Sequence, residues 1–507
     1  MKKLPFVLLT LALPAFAGGP ANGHQDFYGP LYQPQPAASA QATGKQAPKK
    51  PLDAVRRWNE IAINASGLDH TPVAMGEART FGEQLGPCRA ARAMAIVHIA
   101  MFDTANSVGR KYESYTGIRG GAGTPMRAAV SQAAHDTLSA LFPSQTNYFN
   151  SWLTDDLAQV KSKAQRRRGV KLGQRVAARI LELRAQDGSQ HAELRLGTND
   201  FNYHTSDVPG HWRQDPVSRG PVALGARWTN CVPFVLNNCS QFRLPPPPAL
   251  DSAEYALAFL EVKLFGGDGT NTPTARTADQ THVGIFWAYD GTPSLCAPPR
   301  LYNQVTTQIA DQMNTSLLEQ ARLLALVNTA MCDAGSASWD SKYFYDFWRP
   351  VTGVREAGSG TGPTGAGDGN AYNTGDASFM PLGAPASNLT GPNFTPPFPA
   401  YPSGHATFGG ALFQTLRRFY GRDDIAFTFV SDEFNGETLD NQGNVRPYLP
   451  RSFTSLSQAE EENGQSRIYL GIHWSFDKTG GITQGREVGD YVFDHTFRPR
   501  GATIQAQ

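Results

Sequence analysis

The apolar positions of this chain recur mostly at helical spacing. Met94, Val97, His98, Met101, Phe102 and Ala105 follow the i, i+3, i+4 rule and mark the core-facing side of a helix over Pro87–Ser107. The same periodicity predicts helices over Asp53–Ala65, Pro125–Phe142, Thr146–Lys163 and Gln165–Gln186. It resumes over Ser252–Lys263, Ala275–Tyr289, Leu301–Gln312, Ser316–Ala334 and Ser338–Phe347, and then over Ser403–Tyr420, Ser457–Gly471 and Ser475–Phe497. No fixed-period repeat or strand-dominated region interrupts the series. The expected fold is all-α, two helical bundles with long Pro/Gly-rich connecting loops. Residues 52–250 form the N-terminal helical scaffold, its last part (188–250) a structured connection that ends in the Pro245–Pro248 run; residues 251–507 form the C-terminal helical domain with the active site. Gly358 to Gly375 reads as a mobile, solvated loop. His98, inside an apolar strip, reads as a hydrogen-bonded core histidine rather than a ligand.

The ends and the composition narrow the class. Met1-Lys2-Lys3 precedes the apolar run Leu4 to Phe16, and Ala15-Phe16-Ala17 has a small-x-small pattern, so residues 1–17 read as a signal peptide. Residues 18–51, rich in Gly, Pro, Gln, Ala and Lys, read as a flexible leader. Secretion or a periplasmic destination follows as the expectation. Lys+Arg 45 against Asp+Glu 44 leaves a formal charge of +1, which calls for neither nucleic acid nor an anionic membrane. Export permits disulfides; of Cys88, Cys231, Cys239, Cys296 and Cys332, spacing favours Cys231 with Cys239. No CxxC occurs to make a zinc ribbon.

Three short segments carry the chemistry. The proline-dense run before Ser403-Gly404-His405 is not helical, while the segment after it is, so Ser403 falls at the N-cap and Gly404 lets a ligand approach free backbone N–H groups. His405 adds a proton donor and acceptor there. Upstream, Lys342 and Arg349 stand seven apart, two helical turns on one face, with Pro350 ending the segment. Downstream, Arg467 offers a guanidinium fork, and His473 and Asp477 stand four apart, so that Asp477 bonded to one ring nitrogen leaves the other basic. Each segment alone has an ordinary reading as a capped helix, a solvated charged face or a plain helix contact. Together they gather three cations, whose burial without counter-charge is costly and calls for a tetrahedral oxyanion.

Lys-x6-Arg-Pro, Pro-Ser-Gly-His and Ser-Arg-x5-His-x3-Asp, in that order, resemble the three-part signature of the superfamily that joins vanadium-dependent haloperoxidases with type 2 phosphatidic-acid-phosphatase-like acid phosphatases. Likeness to the chloroperoxidase branch extends from about Arg276 to Asp477, through Ala288-Tyr289-Asp290-Gly291, Pro298–Gln304, Trp339 and Pro396–Gly410. The resemblance implies vanadate as cofactor, with phosphate fitting the same site. It implies His473 as the single protein ligand of vanadium, and Lys342, Arg349, Arg467, Ser403 and Gly404 as donors to the oxyanion. His405 would be the acid–base residue, Lys342 would also polarise bound peroxide, and Asp290 would pair with an arginine. Trp339 and Phe398 would line the halide side. Phenylalanine at the position of Phe398 leans toward the chloride-competent type.

The implied activity is a secreted haloperoxidase that oxidises chloride or bromide with hydrogen peroxide to hypohalous acid, an organic acceptor being a further partner. The signature equally admits an acid phosphatase working through a phosphohistidine at His473. A non-catalytic oxyanion-binding protein needs the cations but not both histidines. Oligomeric state and halide preference are not legible.

Overall fold

The structure, a computed structural model, describes residues 23–35 and 53–501. Five of its helices start where a short polar side chain takes up a free backbone N–H: Asp53, Ser162, Ser252, Ser403 and Ser455 each accept from the residue three positions on. Thr277 and Gln280 make a reciprocal capping box. Among the described residues the helices are α1 Gly23–Tyr28, α2 Ala54–Asp69, α3 Pro87–Gly109, α4 Met126–Leu141, α5 Thr146–Ala158, α6 Lys163–Leu183, α7 Ala253–Phe265 and α8 Ala278–Phe286. They continue as α9 Pro298–Gln312, α10 Leu317–Tyr345, α11 Pro350–Glu356, α12 Gly404–Tyr420, α13 Leu456–Tyr469 and α14 Ser475–His495. Among the described residues, strands occur only as three antiparallel pairs: Gln33–Pro34 with Leu389–Thr390, Leu194–Arg195 with Val222–Ala223, and Phe427–Phe429 with Arg451–Phe453. The architecture is all-α, as the periodicity predicts. The largest apolar cluster draws Trp58, Met94 and Phe102 from the first half and Leu323, Phe408 and Leu412 from the second. No described helix is long and apolar enough to cross a membrane.

The predicted pair Ser316–Ala334 and Ser338–Phe347 is one continuous helix, α10. The intervening Gly335-Ser336-Ala337 is buried and its small size is used: a Cβ on Gly335 would stand 2.9 Å from the Phe408 ring. The serines return hydrogen bonds to the helix, Ser336 Oγ to Cys332 O at 3.1 Å and Ser341 Oγ to Ala337 O at 3.1 Å. Asp346, at φ 49°, closes α10, and Pro350 opens α11 rather than ending a segment. Lys342 and Arg349 therefore do not share a helix face.

Other expectations also change. The leader is not uniformly flexible, because residues 23–35 fold onto the body. The signal-peptide reading lies outside the described residues. The glycine-rich loop is exposed for much of its length but is pinned by Asn370, whose Nδ2 donates to Leu250 O at 2.8 Å and Ser252 O at 2.9 Å. All five cysteines are free thiols; Cys239 Sγ donates to the Cys231 carbonyl at 3.2 Å instead of bonding its sulfur. His98 is a core histidine, with Nδ1 2.7 Å from Met94 O and Nε2 2.8 Å from Asn59 Oδ1. Burial lowers its pKa to about 4.

Candidate active site

The start of α12 is the floor of the site. Ser403 Oγ accepts from Ala406 N–H at 3.4 Å, while its own N–H donates to Asp477 O at 2.9 Å and so ties α12 to α14. Gly404 follows under Trp339; a Cβ there would lie 3.2 Å from the indole. The His405 carbonyl accepts from Tyr302 Oη and Asn463 Nδ2, each at 3.0 Å, which sets the rotation of the first turn.

His405 points its Nε2 at the carbonyl of Ala288. A carbonyl can only accept, so Nε2 carries the hydrogen and Nδ1 keeps the lone pair. Asp290 Oδ1 lies 4.0 Å from that Nδ1 and receives Arg467 Nη2 at 2.6 Å. Burial, with the Arg467 charge next in weight, holds the His405 pKa well below its ordinary value.

His473 stands in the turn before α14, not within a helix, and Asp477 is in that helix's first turn. Asp477 Oδ2 accepts from His473 Nδ1 at 2.8 Å and from Trp474 N–H at 3.0 Å. The hydrogen is thereby placed on Nδ1, and Nε2 is free to accept; it receives Arg349 Nη1 at 2.8 Å. Burial and the Arg349 charge push the His473 pKa far down. Burial raises Asp477 to about 7, against the Trp474 N–H and the Lys342 charge.

The cations differ in how they are used. Arg349 also donates from Nε to Phe398 O at 2.9 Å and from Nη1 to Ile472 O at 2.8 Å, but its buried Nη2 has no partner. Arg467 leaves both Nε and Nη1 unpartnered. Lys342 is fully buried and spends its hydrogens on the carbonyls of Pro399 and Ala400, each at 3.0 Å, and of Pro402. Its ammonium also stands 5.0 Å from the Phe398 ring centre. Burial and then the Arg349 charge lower its pKa well below the usual lysine value. Asp290 and Asp477 partly offset the three positive groups, and burial raises the Asp290 pKa despite Arg467.

These residues surround a cavity of about 60 Å³. Gly404, His405, Arg467, His473 and Asp290 line its polar end, and Trp339 and Phe398, with ring centres 4.9 Å apart, line the apolar side. Lys342, Arg349 and Ser403 stand behind that lining. The seven-residue spacing of Lys342 and Arg349 pointed to one helix face, whereas two separate elements bring them together.

Two sets of residues went unread in the sequence. Leu224 and Gly225 seat Trp339: the Leu224 carbonyl accepts from the indole Nε1 at 2.9 Å, and a Cβ on Gly225 would overlap the indole. Phe27, Tyr28 and Tyr32 also line the cavity. The available signal was three aromatic residues within an otherwise Gly-, Pro- and Ala-rich leader.

Residues 322–501 match the family described as the VCPO second helical-bundle domain. The chain is 30% identical over 504 residues to the vanadium chloroperoxidase of Curvularia inaequalis, covering 83% of this chain and 78% of that one. Among solved structures, it resembles a bacterial vanadium-dependent iodoperoxidase at 22% identity and TM-score 0.68, over 90% of this chain and all of the other. It also resembles an apo bacterial vanadium-dependent chloroperoxidase at 15% identity and TM-score 0.59, over 80% and 93%. At those identities the two structures speak to the fold alone.

Proposed function

Because the chain belongs to the vanadium haloperoxidase family, an oxidoreductase family acting with peroxide, we propose that it binds vanadate and oxidises halide with hydrogen peroxide. The observation that carries this reading is the set of unpartnered buried donors, Arg349 Nη2 with Arg467 Nε and Nη1, beside an imidazole whose Nε2 is basic. Buried guanidinium N–H groups without acceptors are costly, and an oxyanion supplies the acceptors. The donor set thus fits vanadate, and it fits phosphate by the same geometry.

His473 Nε2 would hold the metal centre, with Asp477 fixing the tautomer, after Arg349 Nη1 yields that lone pair. Arg349, Arg467, Ser403 and the Gly404 N–H would hold the oxygens. When bound, vanadate supplies Lewis acidity toward peroxide without changing oxidation state. His405 Nδ1 takes the peroxide proton, and Asp290 stabilises the imidazolium that forms. The anion's charge raises the basicity of His405, which the unshielded cations depress. Lys342 must release one carbonyl before it can donate into the site. Trp339 and Phe398 give halide an apolar flank, and Phe398 supports chloride alongside bromide. The Met1–Ala17 stretch supports export of the enzyme.

Halide oxidation assayed with and without orthovanadate, in phosphate-free buffer and beside hydrolysis of a generic phosphate ester, tests the reading. Vanadate-dependent halogenation supports it. Ester hydrolysis without vanadate-dependent halogenation overturns it in favour of a phosphatase.

A further inference from the structure

The N-terminal segment 23–35 gives Phe27, Tyr28 and Tyr32 to the lining of the cavity, and its attachment is specific. Tyr28 Oη lies 2.8 Å from His70 O and 2.7 Å from Gly291 O, with one hydrogen to donate to either or share between them. Gly291 directly follows Asp290, the partner of Arg467. Tyr32 Oη donates to Pro392 O at 2.9 Å. Gln33–Pro34 pairs with Leu389–Thr390, and Gln35 Nε2 donates to Leu389 O at 3.0 Å and Asp440 O at 2.6 Å. Tyr28 and Tyr32 are 8% and 1% exposed, so these two lining rings are packed into the body and do not stand free in solvent.

The room beside these rings is small. At roughly 10–15 Å³ per water centre, a cavity of about 60 Å³ holds only a few water-sized solutes. An oxyanion on Arg467 and His473 takes part of that, leaving space for a two-oxygen solute but not for a branched alkyl group.

We propose that Phe27, Tyr28 and Tyr32 are specificity-determining residues: they wall the cavity and set a size limit on the peroxide, admitting hydrogen peroxide and rejecting tertiary alkyl hydroperoxides. The same wall slows entry and exit of the oxyanion without holding it. The peroxide limit rests on the haloperoxidase reading, whereas the barrier to the oxyanion does not.

The test uses the full chain as Phe27→Ala, Tyr28→Ala and Tyr28→Phe. Halide oxidation by the vanadate-loaded protein is compared with hydrogen peroxide and with tert-butyl hydroperoxide. Orthovanadate association and dissociation with the metal-free protein are followed by tryptophan fluorescence, for which Trp339 is placed. Phe27→Ala and Tyr28→Ala should raise the tert-butyl to hydrogen peroxide activity ratio on the order of tenfold, the scale on which an apolar wall discriminates. Both orthovanadate rates should rise together with Kd preserved. Tyr28→Phe, which keeps the ring and loses the fastening, should speed the rates with a smaller change in ratio. An unchanged peroxide ratio in Phe27→Ala overturns the size limit, and this variant removes no hydrogen bond, so it decides the matter if Tyr28→Ala does not fold. Unchanged rates, or a weakened Kd with an unchanged association rate, overturn the wall. Faster rates in a protein that oxidises no halide with any peroxide would sink the haloperoxidase reading and leave the wall standing.

Discussion

Asp156 and Arg467 are both fully buried, one in the N-terminal scaffold and one in the C-terminal site, yet their surroundings are opposite. Asp156 receives Trp58 Nε1 at 2.8 Å, Ser131 Oγ at 2.7 Å and Arg127 Nη1 at 3.0 Å, so its charge is neutralised within the protein. Arg467 has one carboxylate oxygen and two N–H groups with no acceptor, among further cations. The first arrangement sets the charge against partners within the protein and serves stability. The second leaves buried cationic donors open, and on the proposed reading an oxyanion takes them up.

The largest way to break this contrast is at the imidazoles. His473→Ala should lower vanadate-dependent halide oxidation at least about a thousandfold and weaken orthovanadate binding. His405→Ala should cost on the order of a hundred- to ten-thousandfold in turnover while leaving orthovanadate affinity largely intact. Steady-state kinetics beside fluorescence titration separates the two; turnover that survives in His405→Ala would move the base elsewhere.

On the scaffold side, Asp156→Ala should cost about 3 kcal/mol, because it leaves the buried Trp58 N–H and Ser131 hydroxyl without their acceptor and takes the counter-charge from Arg57, 3.5 Å away. Urea unfolding measures this, and turnover of the folded fraction at saturating vanadate should not change. His98 gives the scaffold an acid sensitivity of similar size. Its folded pKa of about 4 lies below the ordinary 6.5, so the unfolded chain binds the proton first. That stability is present above pH 6.5 and is lost as pH falls toward 4, up to about 3 kcal/mol. His98→Gln should flatten stability against pH between 6.5 and 4; an unaltered slope would assign the sensitivity to other groups.

A smaller effect belongs to the guest. Orthovanadate at a hundred times its Kd should stabilise the protein by about 2.7 kcal/mol, seen as a raised Tm. Arg349→Ala should lose most of that rise and Asp156→Ala should keep it; equal rises in both would mean the anion binds elsewhere. The least effect is expected from Gly404→Ala, whose Cβ would press on Trp339 at 3.2 Å, about 1 kcal/mol of overpacking. Its readout is a modest loss of stability together with a change in the Trp339 fluorescence.

The elements were legible where local rules act alone. Ser403 is the N-cap of α12, and Thr146, Ser252 and Ser475 lie within a residue of helix starts, because capping and periodicity are properties of short stretches. The error at α10 has the same cause: Gly335 and Ser336 weaken an isolated helix, but packing under Phe408 outweighs propensity. Residues 23–35 went unrecognised within the leader because a few aromatic residues scarcely alter composition, although each ring gains burial once a partner surface exists.

By itself the sequence determined the helical class, the capped turn at Ser403, and the residue types that make an oxyanion site. It did so because periodicity, capping and charge need no distant partner. Only the tertiary structure decided which nitrogen of each histidine is basic, which guanidinium N–H groups remain open, and that Lys342 and Arg349 meet from separate elements. Those facts depend on carbonyls and carboxylates supplied by segments remote in the chain: Ala288 for His405, Asp290 for Arg467, and Pro399, Ala400 and Pro402 for Lys342. The lining of the cavity by residues 23–35 is of the same kind, since Tyr28 acquires its role only when the carbonyls of His70 and Gly291 are brought beside it.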